Sequence, residues 1–314
     1  VNQQTTVSKD RAMEPQSRSE ERPISHVTPL PLTSARLPRS SLPAPLTALV
    51  GREKESSAIR ALLDQHDARL VTLTGPGGVG KTRLALQVAH DHNRADRFPD
   101  GVFFVELANA RTPDDVLLAI AIILQVREAA TQVLDDLLIP VLRHREALLV
   151  LDNLEQVLSA SPDLAALLHA CPGLKILATS RELLHISGER RFIVPPLSVE
   201  NEDRTVSVPS EAMRLFEARA QAVQPDFLLD EATVPIVAEI CRRVDCLPLG
   251  IELAAARLRH LSPVSLRDDL NARLSLLTGG PADQPPRSRT MRHAIAWSYD
   301  LLDGAEQALF RRLA

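Results

Sequence analysis

Gly75-Pro76-Gly77-Gly78-Val79-Gly80-Lys81-Thr82 sets four glycines ahead of a lysine and a hydroxyl, the full spacing GxxxxGK[ST]. An apolar run, RLVTLT (69–74), precedes it, and an apolar-periodic segment follows from Lys81. Glycines let successive backbone N–H groups turn inward on a phosphate, and the N-terminus of the following helix adds partial positive charge. In this arrangement Lys81 reaches the β and γ phosphates and the Thr82 hydroxyl ligates Mg²⁺, while Arg83 belongs to the same binding set. The loop alone does not say whether the phosphate is transferred, hydrolysed or sensed.

A phosphate loop needs an acidic residue at the end of a neighbouring apolar strand to hold the metal, and ALLVLDN supplies Asp152. Asp152 has a second possible role as N-cap of a helix over 153–169, and one aspartate can serve both. The next position is Asn153, where many hydrolysing proteins of this kind place a second carboxylate. An amide cannot take a proton, so hydrolysis is expected to be slow unless Glu155 or a partner acts as base. ILATSR ends in Arg181, a guanidinium suited to detecting a γ-phosphate. A surface arginine at a helix start is the plainer alternative for that residue.

These groups must be positioned by strands and helices in alternation. Strands are predicted at 69–74, 102–107, 147–152, 174–179 and, more weakly, 191–194, with helices near 53–65, 81–92, 113–125, 131–144 and 154–169. Continuous apolar strands separated by helices indicate a parallel sheet wrapped on both sides. After Pro195-Pro196 the strands stop, and helical periodicity runs through 210–223, 231–244, 248–260 and 263–270. The expected fold class is therefore α/β, a P-loop NTPase with a parallel sheet followed by an all-helical domain. The boundaries read as a Pro/Ser/Thr-rich linker over 1–46, the nucleotide-binding domain over 47–197, the helical domain over 198–280 and a further helical piece over 281–314. Residues 1–46 hold seven prolines, eleven Ser or Thr and no aromatic residue, too little apolar surface to offset ordering entropy. The start at Val1 and the end within an apolar helical pattern lead us to expect a fragment.

Composition narrows the partners. Net charge −4 over 314 residues gives no global attraction to nucleic acid or anionic membrane. No apolar run approaches the ~20 residues that span a bilayer, and no signal-peptide core is present, so a cytoplasmic location is expected. The three cysteines, Cys171, Cys241 and Cys246, form no metal-ligand spacing and read as reduced, mostly buried thiols.

Taken together, LVGREKE (49–55), the phosphate loop, LLVLDN, ATSR and CLPLGIELAAARL (246–258) resemble the NB-ARC-like ATPases of the signal-transduction (STAND) class. The similarity is greatest to bacterial regulators that join this module to LuxR-type, SARP-type or cyclase domains and to helical repeats. The resemblance implies that Val50, Gly51 and Arg52 lie against adenine, with Arg52 the main side-chain contact. It implies that Arg181 is the sensor arginine and that Pro248 closes from the helical domain over the base or ribose. It also implies that 281–314 begins a winged-helix domain, in which Trp297 and Tyr299 pack the core. One departure is Cys246, where the family usually has Gly before Leu247.

The reading that follows is an ATP/ADP-binding switch with Mg²⁺. Nucleotide state would set the arrangement of the domains, self-association and the action of an attached effector domain, with a helical-repeat sensor elsewhere in the protein. The alternative is a turnover ATPase of AAA+ type that couples hydrolysis to mechanical work. Asn153 counts against it, as does the lack of an evident arginine finger. A kinase would need an acceptor site and base that the sequence does not display, and direct nucleic-acid binding is not expected.

Overall fold

Every residue of Leu70–Thr74 (β2) and Leu148–Asp152 (β4) is buried, as a strand covered on both faces requires. In the computed structural model they lie inside a six-stranded sheet in which every pairing is parallel. The structure describes residues 40–126, 134–200, 209–270, 277–278, 280, 289–300, 302 and 304–313. Strand order is β1-β3-β4-β5-β2-β6, with β1 at Ser40–Ser41, β3 at Val102–Glu106, β5 at Lys175–Thr179 and β6 at Glu189–Ile193. The weakly patterned ERRFI of β6 takes an edge position, where a mostly exposed strand is tolerated.

One face of the sheet carries α1 (Glu53–Asp64) and α2 (Lys81–Arg94), the other α3 (Pro113–Ile123), α4 (Ile139–Leu142) and α5 (Ser161–Ala170). Thr112 and Asp115 form a reciprocal capping box at the start of α3. The Asp115 carboxyl, exposed but accepting the N–H groups of Arg111 and Thr112, is held below its usual pKa.

Two expected helices take a different form. Over 131–144 the described residues are a π turn, Leu134–Leu138, running into the short α4. Pro140 lacks the N–H that an α-helix would bond to residue 136. The helix expected over 154–169 is two 3₁₀ turns, Leu154–Gln156 and Leu158–Ala160, and then α5, whose start is set by Pro162 in its first turn. Asp152 therefore caps no long helix, and its carboxylate is engaged elsewhere. Of the N-terminal segment read as linker, residues 40–46 are described, and Ser40–Ser41 pairs with Val102–Phe103 at the sheet edge.

Helices α6 (Glu211–Gln221), α7 (Thr233–Arg243), α8 (Pro248–Ala256) and α9 (Pro263–Leu270) follow, then α10 (Met291–Asp300) and α11 (Gly304–Leu313). Phe216, Val237 and Ile251 of this region share one buried cluster with Val71, Leu84 and Val88 of the sheet layer. The two regions thus meet through a continuous apolar contact. Tyr299 of α10 stacks edge-on with Phe310 of α11, while the Trp297 side chain lies outside the described residues.

The turn that aims α8 is a left-handed helix end. Cys246 N–H bonds Cys241 O at 2.8 Å and Asp245 N–H bonds Arg242 O at 3.0 Å, the paired bonds of a Schellman motif. Asp245 and Cys246 both have φ of 53°. Cys246 thus adopts the conformation that glycine would favour there, and its carbonyl accepts Leu197 N–H at 3.0 Å. Asp245 is exposed and places a carboxylate at the negative pole of α7. Asp245→Gly should therefore raise stability by about 1 kcal/mol in chemical denaturation, since the left-handed cost and the dipole term are both relieved. A variant less stable than the parent would refute that account.

Candidate functional site

The C-terminal ends of β2, β4 and β5 converge, with Leu73 paired to Thr179 and Leu151 to Ala178. At such an end an open parallel sheet presents its ligand crevice. Gly75, Pro76, Gly77, Gly78, Val79 and Gly80 form the loop there, with φ of 152°, 80° and 96° at Gly75, Gly78 and Gly80. At Gly78 the need for glycine is double: a Cβ would meet Leu249 Cβ at 3.0 Å, and φ is left-handed. Lys81 opens α2 and donates to the carbonyls of Gly75 at 2.7 Å and Pro76 at 3.2 Å. Burial lowers its pKa, with the negative field of Glu155 opposing. An ammonium held on its own loop's carbonyls can transfer to phosphate oxygens with a short side-chain movement.

Asp152 is the centre of a buried network. Its Oδ1 accepts from Thr82 Oγ1 at 2.7 Å and from Thr179 Oγ1 at 2.6 Å, and Oδ2 accepts from Asn153 Nδ2 at 2.7 Å. Asn153 itself is left-handed, at φ 67°, and its N–H bonds Thr179 Oγ1 at 3.0 Å. The amide therefore faces the aspartate and stiffens it. The Thr82 hydroxyl and the Asp152 carboxylate, hard oxygens in hydrogen-bond contact, are a donor set that fits Mg²⁺. Thr179 is a member that sequence reasoning quoted without a role; its place at the end of a strand beside β4 was the available signal.

Glu155 and Arg181 come together on the same side, with Arg181 Nε 3.6 Å from Glu155 Oε1. Glu155 Oε2 is buried without a hydrogen-bond partner. Burial raises the pKa of Glu155, opposed by the charges of Lys81 and Arg181. The carboxylate has the raised proton affinity of a general base, and the arginine that could sense a γ-phosphate is its ion-pair partner.

A second part of the site is a cleft lined by Leu49, Val50, Arg52, Val79, Gly80, Arg83, Leu197, Leu215, Pro248 and Glu252. Six of these ten, Val50, Arg52, Val79, Gly80, Arg83 and Pro248, are residues the sequence had singled out, and they come from both regions of the chain. Apolar walls with a few charged groups suit a planar base. The Arg52 side chain is buried with both terminal nitrogens engaged: Nη2 donates to Val79 O at 3.2 Å and Pro195 O at 2.5 Å, and Nη1 pairs with Glu55 at 2.9 Å. It braces the loop as well as lining the cleft. Gly51 and Arg52 are both left-handed, and Glu211 secures the turn by accepting Arg52 N–H at 3.3 Å. Nothing in sequence near Gly51 pointed to Glu211, which lies 159 residues away from Arg52. Pro248 starts α8 directly against the loop, where the next residue, Leu249, donates its N–H to Gly78 O at 3.2 Å.

Sheet order, the glycine loop opening α2 and the aspartate on the adjacent strand together define the α/β P-loop NTPase fold. Residues 64–187 match the family profile of the AAA domain. The chain is 43% identical over 257 residues to a Mycobacterium tuberculosis protein bearing the provisional name of an HTH-type transcriptional regulator, covering 82% of this chain and 27% of that protein. It is 31% identical over 292 residues to the regulatory protein AfsR of Streptomyces griseus, over 87% of this chain and 27% of AfsR. The chain thus spans about a quarter of the length of these relatives. Among solved structures, a STAND protein with a tetratricopeptide repeat sensor from Pyrococcus horikoshii aligns over 87% of this chain and 35% of its own. Its identity is 14% and its TM-score 0.41. Among the described residues no helix is long and apolar enough to cross a membrane.

Proposed function

We propose that this chain is the nucleotide-dependent switch module of a regulatory protein, binding ATP or ADP with Mg²⁺. The observation that carries the reading is the shared cleft: Val79, Gly80 and Arg83 line it from the phosphate loop and α2, Leu215, Pro248 and Glu252 from the helical region. A ligand touching both regions makes their relative placement depend on what is bound. Lys81 would hold the β and γ phosphates, Thr82 and Asp152 the metal, Val50 and Pro248 the base, and Arg181 would register the γ-phosphate. Bound Mg²⁺ supplies charge neutralisation at the phosphate oxygens. To move a population from mostly closed to mostly open, ATP must favour the open form by ~5 kcal/mol over ADP. The names of the relatives support a regulatory context, in which an effector domain and self-association complete the switch.

The buried Oε2 of Glu155 favours a second reading, a turnover ATPase. The two are separated by identifying the nucleotide that co-purifies with the protein and then measuring hydrolysis. Tightly held ADP and a turnover below about 1 per minute, against the median enzyme's ~10 per second, are expected for the switch. An empty site that hydrolyses added ATP freely would replace it with the second reading.

A further inference from the structure

Beside the cleft, four segments distant in sequence meet at a point that the motifs containing Arg83 and Glu252 do not foretell. Glu252 Oε1 of α8 accepts from Arg83 Nη1 of α2 at 2.9 Å and from Arg219 Nε of α6 at 3.0 Å. The same two guanidiniums converge on Thr47, before α1. Arg83 Nη2 donates to Thr47 Oγ1 at 2.8 Å, to Thr47 O at 3.3 Å and to Ala48 O at 3.0 Å. Arg219 Nη2 donates to Thr47 Oγ1 at 3.2 Å.

Two like charges approach each other here because one carboxylate lies between them. Burial lowers the Arg83 pKa and Arg219 pushes the same way, while Glu252 opposes both. The side chains of Arg83, Glu252 and Arg219 are 37%, 29% and 21% exposed, so water screens the group only in part. Glu252 follows Pro248 by one helical turn and so shares its face of α8. The charge that fixes α8 to α2 therefore also seats Pro248 and Leu249 on the phosphate loop. Thr47 Oγ1 accepts from both arginines, and Arg83 adds bonds to the carbonyls of Thr47 and Ala48.

We infer that Glu252 is a positioning residue that clasps the phosphate-loop helix to the helical region and, through the paired arginines, holds the segment 47–50 against the cleft. Leu49 and Val50 of that segment line the cleft themselves. Seating of α8 is thereby coupled to order in the segment 47–50. Its meaning as a signal route rests on the switch reading; the clasp itself does not need a nucleotide.

The test is hydrogen–deuterium exchange on the full chain, comparing wild type with Glu252→Gln and Thr47→Val, each with and without saturating ADP. Without nucleotide, peptides covering 42–52 should exchange about tenfold faster in both variants, with β4 unchanged, as expected for local opening. Thr47→Val should by reciprocity also speed exchange at 247–251, across the clasp. Glu252→Asp, which keeps the carboxylate, should restore part of the protection. ADP should slow exchange at 42–52 in wild type more than in either variant. Unchanged exchange at 42–52 in ligand-free Glu252→Gln overturns the clasp; should that variant not fold, unchanged exchange in Thr47→Val does so. A wild type in which ADP alters nothing, the loop 75–82 included, defeats the nucleotide reading, and the ligand-free comparison still decides the clasp.

Discussion

Lys81→Ala should lower affinity for ADP and ATP at least about 100-fold, because the charge-assisted bonds of the ammonium are each worth ~1.5–3 kcal/mol and at least two are lost. The loop should survive the change. Its shape comes from glycine torsions and from packing against Leu249 and Val194, whereas Lys81 contributes two bonds to its own carbonyls. Removing a half-buried ammonium also removes part of a desolvation cost, so thermal stability should hardly fall. Titration with a fluorescent ADP analogue, beside a melting curve, reads both quantities. An affinity within about threefold of wild type would remove the phosphate loop from the binding site, since one charged bond alone exceeds that margin.

Asp152→Ala should have the opposite profile, a large loss of stability together with loss of Mg²⁺ dependence. The carboxylate satisfies three donors at once, on buried Thr179 and Asn153 and on half-buried Thr82. Alanine leaves them facing one another without an acceptor. At ~1–3 kcal/mol for each buried unsatisfied group, partly relieved by rotation of the two hydroxyls, the net cost is about 3 kcal/mol. For a chain of 314 residues, at an unfolding entropy of about 2.1 cal/mol/K per residue, that corresponds to a fall of about 5 °C in Tm. Asp152→Asn keeps one acceptor oxygen and should lose less stability while losing the metal equally. Equal melting temperatures for wild type and Asp152→Ala would mean that the network does not form in solution.

The contrast between these two residues shows how much of the site the sequence could carry. Lys81 and Thr82 were legible because a phosphate loop is a local device: glycines, lysine and hydroxyl act within one turn, and their spacing is their geometry. Asp152 was legible as an acid ending an apolar strand, although its alternative as a cap for a long helix dissolved once 3₁₀ turns and Pro162 delayed that helix. Arg181 could be placed at a strand end, yet its pairing with Glu155 depends on two loops after neighbouring strands. Asn153 was read as a missing base; the left-handed turn shows it bonded to Asp152 as well.

By itself the sequence determined the alternation that makes a doubly covered parallel sheet, the phosphate loop at the end of β2 and the change to an all-helical region after Pro195-Pro196. Periodicity and loop chemistry act over a few residues, and such information survives in one dimension. Only the tertiary structure decided what closes the cleft: Arg52 bracing Val79 and Pro195, Glu211 securing the turn at Gly51, and Glu252 gathering Arg83, Arg219 and Thr47. Glu211 and Glu252 read in sequence like solvated helix residues, and Arg52, singled out as a base contact, gives no sign there of what it braces; each is a charged residue on a helix or at its edge. Its role arises because burial against a distant segment leaves a charge that must find its partner there.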